Sequence, residues 1–334
     1  MNIARSDFSE SVAPFAAPSP LLGDSEAMQE VFRLIERVGP TEASVLLTGE
    51  SGSGKELAAQ SIHDRSARRG GPFIAINCGA IPAGLIEAEL FGYEKGSFTG
   101  AVRAHAGVFE RAQGGTLLLD EVTEMPLEMQ TRLLRVLESR KFYRVGASVE
   151  FSSDVRVIAS TNRCPLQAVQ NGQLREDLLY RLAVFPIDMP SLRSRGSDVE
   201  LLAEHFLTEL NVQSRTQKRF SAMARMTMKQ HTWPGNVREL KNCIERAFIL
   251  GDQTLELAPL IQNAARGGDT VSDRERLDIR VGSRIYDMER SLIEATLDYF
   301  KGNKRRAADA LGCSLKTLYN KLNGYSQNEE CASS

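Results

Sequence analysis

At 334 residues the chain exceeds one ordinary compact core, so a large unit with smaller appended domains is expected. A composition 42% apolar and 25% charged is globular, and no run approaches the roughly 18 apolar residues of a membrane helix, which excludes a helical membrane span. A formal net charge of −2 excludes a global attraction to nucleic acid and leaves such contacts to a local patch.

Residues 1–20, rich in Ser, Ala and Pro, have neither strand nor helix periodicity and read as a flexible leader; acids at Asp7 and Glu10 and the lack of an apolar core argue against a signal peptide, so a cytoplasmic protein is expected. Cys78, Cys164, Cys243, Cys313 and Cys331 are odd in number, scattered and free of any CxxC pair, and are expected to be reduced thiols.

From Leu21 the folded part begins: Ala27 to Val38 has helical spacing, Val45 to Thr48 is a short apolar strand, and Lys55 to Arg65 is a helix running out of a glycine loop. Further apolar runs at Phe73 to Ile76, Thr116 to Leu119 and Val155 to Ala159 alternate with helical segments such as Leu127 to Ser139. That alternation predicts an α/β fold with a parallel sheet wrapped by helices over 21–190. After Pro190 strand signals stop, and helices at Asp198 to Asn211 and Val237 to Leu250 predict a small helical subdomain over 191–262. A polar, glycine-containing linker over 263–282, an all-α domain over 283–325 and a tail over 326–334 complete the chain, with no internal repeat.

Gly49-Glu50-Ser51-Gly52-Ser53-Gly54-Lys55 lets the backbone curl so that its N–H groups and the helix N-terminus point at phosphate oxygens while Lys55 reaches the outer phosphates of ATP. Glu56 stands where Ser or Thr usually ligates Mg²⁺, so the metal would rest on water, nucleotide and Asp120. Asp120 and Glu121 follow a buried strand, where ligands of such sheets bind; Asp120 suits Mg²⁺ and Glu121 suits a general base for the attacking water. Seen alone such a pair is more often a solvated turn, and its place downstream of a phosphate loop reverses that preference.

At the end of the chain, Ile285, Met288, Leu292, Thr296 and Phe300 form a helical stripe, and Asn303 caps a second helix. Gly312-Cys313 makes a turn, and Ser314 caps a third helix with Leu315, Leu318 and Leu322 inward and Lys316, Thr317, Asn320 and Lys321 outward, the spacing of a helix-turn-helix. Residues 300–325 carry a net +5, the local patch that the overall charge requires, unless it is only a solvated face. Lys304, Arg305 and Arg306 suit phosphate contact, whereas Thr317 and Asn320 are better placed for base edges.

Over 21–325 the chain resembles the bacterial enhancer-binding proteins, AAA+ ATPases that activate the sigma-54 form of RNA polymerase. The most specific motif is Glu89-Leu-Phe-Gly-Tyr-Glu-Lys-Gly-Ser-Phe-Thr-Gly-Ala101, similar to the family's sigma-54-contacting loop GAFTGA, with Ser97 where Ala is usual. In the loop Gly96, Ser97, Phe98, Thr99, Gly100 and Ala101, the glycines act as hinges and Phe98 is an apolar tip available to a partner; without the resemblance, Phe98 would be read as a core side chain.

The resemblance implies further roles. Asn77 resembles the switch asparagine that holds Glu121 inactive, Thr161 and Asn162 look like sensor I, and Arg175 and Arg181 match the arginine fingers that a neighbouring subunit inserts. Trp233-Pro-Gly-Asn-Val-Arg-Glu-Leu240 is similar to sensor II, with Arg238 reaching the nucleotide from the lid. The implied fold is an AAA+ P-loop sheet with a helical lid followed by a Fis-type helix-turn-helix; the implied partners are sigma-54 holoenzyme, enhancer DNA and other copies of the chain, hexameric when active and dimeric when not. With about twenty residues ahead of the ATPase, no attached receiver domain is expected, and control is expected from a regulatory protein in trans, from expression level or from hetero-assembly. A nucleic-acid motor, or a DNA-binding regulator whose ATP serves only assembly, would share the phosphate loop.

Overall fold

The computed structural model describes residues 21–98, 100–257, 285–300 and 303–322, so the expected leader, linker and tail, together with Thr99, lie outside the described residues. The chain divides into two compact units on either side of Leu260 and Ile261.

In the first unit, α1 (Glu26–Val38) leads into β1 (Val45–Thr48), α2 (Lys55–Asp64), β2 (Phe73–Asn77), α3 (Ile86–Phe91), α4 (Val108–Arg111) and β3 (Thr116–Asp120). Next come α5 (Leu127–Ser139), the hairpin strands β4 (Lys141–Tyr143) and β5 (Glu150–Ser152), β6 (Arg156–Thr161), α6 (Pro165–Gln170), α7 (Glu176–Leu182) and β7 (Phe185–Asp188). Five strands form one parallel sheet in the order β2-β3-β6-β1-β7.

Strand alternation decides which core each side chain enters. Leu117 and Leu119 of β3 face a core shared with Phe91, Phe109, Leu133 and Leu178, whereas Leu118 faces the opposite core with Ile35, Ala58 and Ile62. Burial on both faces explains why β3 and β6 read as continuous apolar runs. The expected strand boundaries hold to within two residues; β7, an edge strand paired to β1, has too little apolar length to be recognised from sequence.

The lid consists of α8 (Asp198–Ser214), α9 (Ala222–Gln230) and α10 (Asn236–Leu250). It corrects the expectation that strands end at Pro190, because Arg219–Phe220 (β8) pairs in parallel with Thr254–Leu255 (β9). Two-residue strands leave no periodic signal. Trp233 is fully buried and donates its indole N–H to the Met228 carbonyl at 3.0 Å.

The second unit packs the helix Ile285–Tyr299, the helix Lys304–Ala310 and a third over 315–322 around Ile293, Ala307, Ala308 and Leu318. Asn303 Oδ1 accepts the Arg306 N–H at 3.2 Å and Ser314 Oγ accepts the Thr317 N–H at 3.1 Å, so both expected caps form. The inward stripe needs correction. Leu292 and Leu315 are 48% and 41% exposed, and Ile293 takes the central place, flanked by the partly buried Leu297, Phe300 and Leu322.

Candidate nucleotide site and partner loop

The phosphate loop joins β1 to α2 through Gly49, Gly52 and Gly54, all at positive φ. Gly52 has a second reason to lack a side chain: a Cβ there would lie 2.5 Å from the Gly235 carbonyl of the lid. Lys55, 7% exposed, donates from Nζ to the Gly49 carbonyl at 2.8 Å and the Glu50 carbonyl at 3.3 Å, and its ammonium lies 3.7 Å from Glu121 Oε1. The Ser53 hydroxyl is buried without a hydrogen-bond partner. An unpaired polar group inside a glycine cradle suits a loop shaped for an anion. Glu56 is exposed in the first turn of α2, where a carboxylate favours the helix dipole.

Register places Asn77 of β2 directly beside Asp120 of β3. Asn77 Nδ2 donates to Asp120 Oδ2 at 3.0 Å, and Ser160 Oγ donates to Asp120 Oδ1 at 2.6 Å. In this structure Asn77 holds Asp120, because neighbouring parallel strands bring Asp120 within reach while the chain turns at Glu121. Glu121 has φ +53, a conformation that costs a non-glycine residue energy and recurs at functional sites. Its Oε2 accepts the backbone N–H of Asn162 at 3.0 Å, so the Asn162 contact with Glu121 is made by the main chain. The Thr161 hydroxyl instead shares a hydrogen bond of 3.0 Å with Thr123.

The lid grips the phosphate loop. Arg238 Nη1 donates to Ser51 Oγ at 2.9 Å, the Val237 N–H to the Gly52 carbonyl at 3.0 Å, and Asn236 Nδ2 to the Ser51 carbonyl at 3.1 Å. Three further participants receive no role from the sequence, although Asn236 lies in the stretch similar to sensor II. Arg195, 1% exposed, donates to the Ser53 carbonyl at 2.5 Å and the Pro190 carbonyl at 3.0 Å; burial pulls its pKa down to about 10. Asn236 accepts the Leu192 N–H at 2.8 Å. Arg193 grips the Glu50 carboxylate through both terminal nitrogens, and Asn236 Nδ2 donates to the same carboxylate at 3.1 Å. These bonds, Arg193 first, hold the Glu50 pKa below the usual carboxylate value. The available signal was the cationic Leu192-Arg-Ser-Arg195 turn just after the last sheet strand.

Arg175 and Arg181 are exposed on the segment carrying α7. Arg175 forms an ion pair with Asp177 at 2.7 Å, and Arg181 Nη2 donates to the Leu137 carbonyl at 2.8 Å.

Gly96 at φ +83 and Gly100 at φ +110 bracket the loop, and the Gly96 N–H bonds the Ala101 carbonyl at 2.8 Å. Phe98 is 40% exposed and meets the Tyr93 ring edge-on at 5.0 Å, so it is neither a core side chain nor a bare tip. Ser97 packs against Gly146, and its hydroxyl is buried without a partner. At the base of the loop, Arg144 bonds Glu94 at 2.9 Å and Glu110 at 2.8 and 2.6 Å, contacts that raise its pKa.

In the second unit Lys304, Arg305, Arg306, Lys316, Thr317 and Asn320 are exposed. Lys304 Nζ lies 4.6 Å from the centre of the Tyr319 ring, the Thr317 hydroxyl bonds that of Ser314 at 2.7 Å, and Lys321 is half-buried in an ion pair with Glu289.

The family description "Sigma-54 interaction domain" matches residues 21–188, "AAA+ ATPase lid domain" residues 193–276, and "Bacterial regulatory protein, Fis family" residues 285–325. The transcriptional regulatory protein FlbD of Caulobacter vibrioides is 43% identical over 321 residues, spanning 92% of this chain and 70% of that protein. The chain belongs to the sigma-54-dependent transcriptional activators. This activator is also 43% identical over 333 residues to the DNA-binding transcriptional regulator NtrC of Rhizobium meliloti, across 91% of this chain and 69% of that protein. In structure it is similar to NtrX from Brucella abortus in complex with ATP, with a TM-score of 0.70 and 34% identity over 92% of this chain and 69% of that one. The activator thus has an AAA+ parallel-sheet domain, a helical lid and a C-terminal helix-turn-helix. No described helix is long and apolar enough to cross a membrane.

Proposed function

We propose that the activator binds enhancer DNA through its helix-turn-helix and hydrolyses ATP in a cytoplasmic ring, a homo-hexamer when active and a dimer when not, to remodel the sigma-54 polymerase closed complex into an open one. The observation that carries this reading is the joining of a phosphate loop to Lys55, Asp120 and Glu121 in the same unit as the glycine-hinged loop bearing Phe98.

In this reading the N–H groups of 49–55 and the Lys55 ammonium bind the phosphates, and the unpaired Ser53 hydroxyl gains a partner. The Asp120 carboxylate, which Ser160 and Asn77 orient, would hold Mg²⁺, whose hard-oxygen preference it fits and which would supply neutralisation of phosphate charge. Glu121 accepts the proton of the attacking water while the Asn162 N–H fixes one of its oxygens. Arg238 reports the lid position through Ser51. The exposed Arg175 and Arg181 reach a neighbouring copy's nucleotide, which makes turnover depend on assembly. The nucleotide state, sensed at Glu121, moves Phe98 and the rest of 96–101 onto sigma-54, and a regulatory protein acts in trans.

The test is co-elution of the purified chain with sigma-54 in ADP and aluminium fluoride, comparing wild type with Phe98→Ala. A wild-type complex that the variant loses is expected. A ring that hydrolyses ATP, is stimulated by DNA and makes no such complex would instead be a nucleic-acid motor.

A further inference from the structure

A carboxylate inside a phosphate-binding loop needs explaining, because phosphate oxygens are themselves anionic. Glu50 directly follows Gly49, and its charge, left free, would oppose every ligand that the loop is shaped to hold. The structure answers with two groups from distant parts of the chain. Arg193, in the short helical turn Leu192–Ser194 between sheet and lid, grips the carboxylate through Nη1 at 2.9 Å and through Nη2. Asn236, fully buried at the start of α10, donates Nδ2 to Glu50 Oε2 at 3.1 Å and anchors itself through the Leu192 N–H and the Ser51 carbonyl.

We propose that Arg193 is a positioning residue for the nucleotide: by neutralising Glu50 and drawing it toward the lid hinge, with Asn236 as the second donor, it keeps the loop's own negative charge off the phosphates. The inference rests on the nucleotide reading of this loop. The Glu50 and Arg193 side chains are 42% and 50% exposed, and a solvent-exposed ion pair contributes little to folding stability. The pair is thus poorly explained as a fold-stabilising element. Asn236 begins the lid helix α10, so a lid that swings away takes the second donor with it. Loop charge and lid position are coupled.

The experiment measures equilibrium binding of a fluorescent ATP analogue to the full chain at low and high salt, for wild type, Arg193→Ala, Glu50→Gln and the double variant. Arg193→Ala is expected to weaken binding about tenfold at low salt and less at high salt, since screening shortens the reach of the exposed charge. Glu50→Gln binds at least as tightly as wild type. The double variant recovers, because the unneutralised charge no longer exists. A double variant as weak as Arg193→Ala would overturn the proposal and make Arg193 a direct phosphate ligand, leaving the nucleotide reading intact. A wild type with no affinity for the analogue would overturn both. Unchanged thermal unfolding in all four proteins keeps a folding defect from mimicking the result.

Discussion

The backbone N–H of Asn162 donates to Glu121 Oε2 at 3.0 Å, tying the end of β6 to the residue just past β3. A main-chain donor has no rotamer freedom, so it fixes one carboxylate oxygen and leaves the other 3.7 Å from the Lys55 ammonium.

Glu121→Gln keeps that contact and removes the proposed base. Nucleotide affinity should hold while turnover falls about 100-fold or more, by the usual size of a general-base contribution. Single-turnover hydrolysis on nucleotide-saturated protein checks it; turnover within a few-fold of wild type would assign the base elsewhere.

Asn77 and Ser160 orient Asp120 from opposite sides. Loss of an outer ligand-orienting group typically costs about 10-fold or more in metal affinity. Asn77→Ala should therefore raise the Mg²⁺ concentration needed for half-maximal hydrolysis by about that factor. A Mg²⁺ titration that overlays wild type would show that Asn77 acts on something other than Asp120.

Ser97 hides an unpaired hydroxyl against Gly146. Removing a buried unsatisfied donor returns about 1 kcal/mol or more, so Ser97→Ala should raise the unfolding temperature by about 2–4 °C. Gly146→Ala should do the opposite, because its Cβ would sit 2.7 Å from that of Ser97 at a φ of +80°. Calorimetry on both variants decides; a Ser97→Ala protein less stable than wild type would mean that the hydroxyl has a partner.

For the DNA-binding unit, alanine at Lys304, Arg305 or Arg306 should weaken binding to all sequences and lower the salt slope by about one each. Asn320→Ala should relax selectivity among sequences, at about 1–3 kcal/mol for a lost base contact. Lys321→Ala should change the slope less, since Glu289 already pairs with it. Affinity measured across a salt series separates these outcomes; equal slopes for all four cations would contradict the ion-pair argument.

Local order was legible because it depends on neighbours in sequence. The glycine loop between an apolar strand and a helix, the alternating strands and helices, and the caps at Asn303 and Ser314 all rest on residues a few positions apart. Partnerships across the fold were not legible. Glu50 meets Arg193 and Asn236, 143 and 186 positions away, and Asn77 meets Asp120, 43 positions away, because parallel crossovers and the folded lid bring them together. Helical periodicity likewise leaves adjacent stripes nearly equivalent, and only packing against Ala307 and Ala308 selected Ile293 over Leu292. Sequence alone determined the family of chemistry, a phosphate loop with an acidic strand end and a basic helix-turn-helix. Tertiary structure alone decided which group each charge faces, since that choice is made by desolvation and geometry between elements and leaves no periodic trace in the chain.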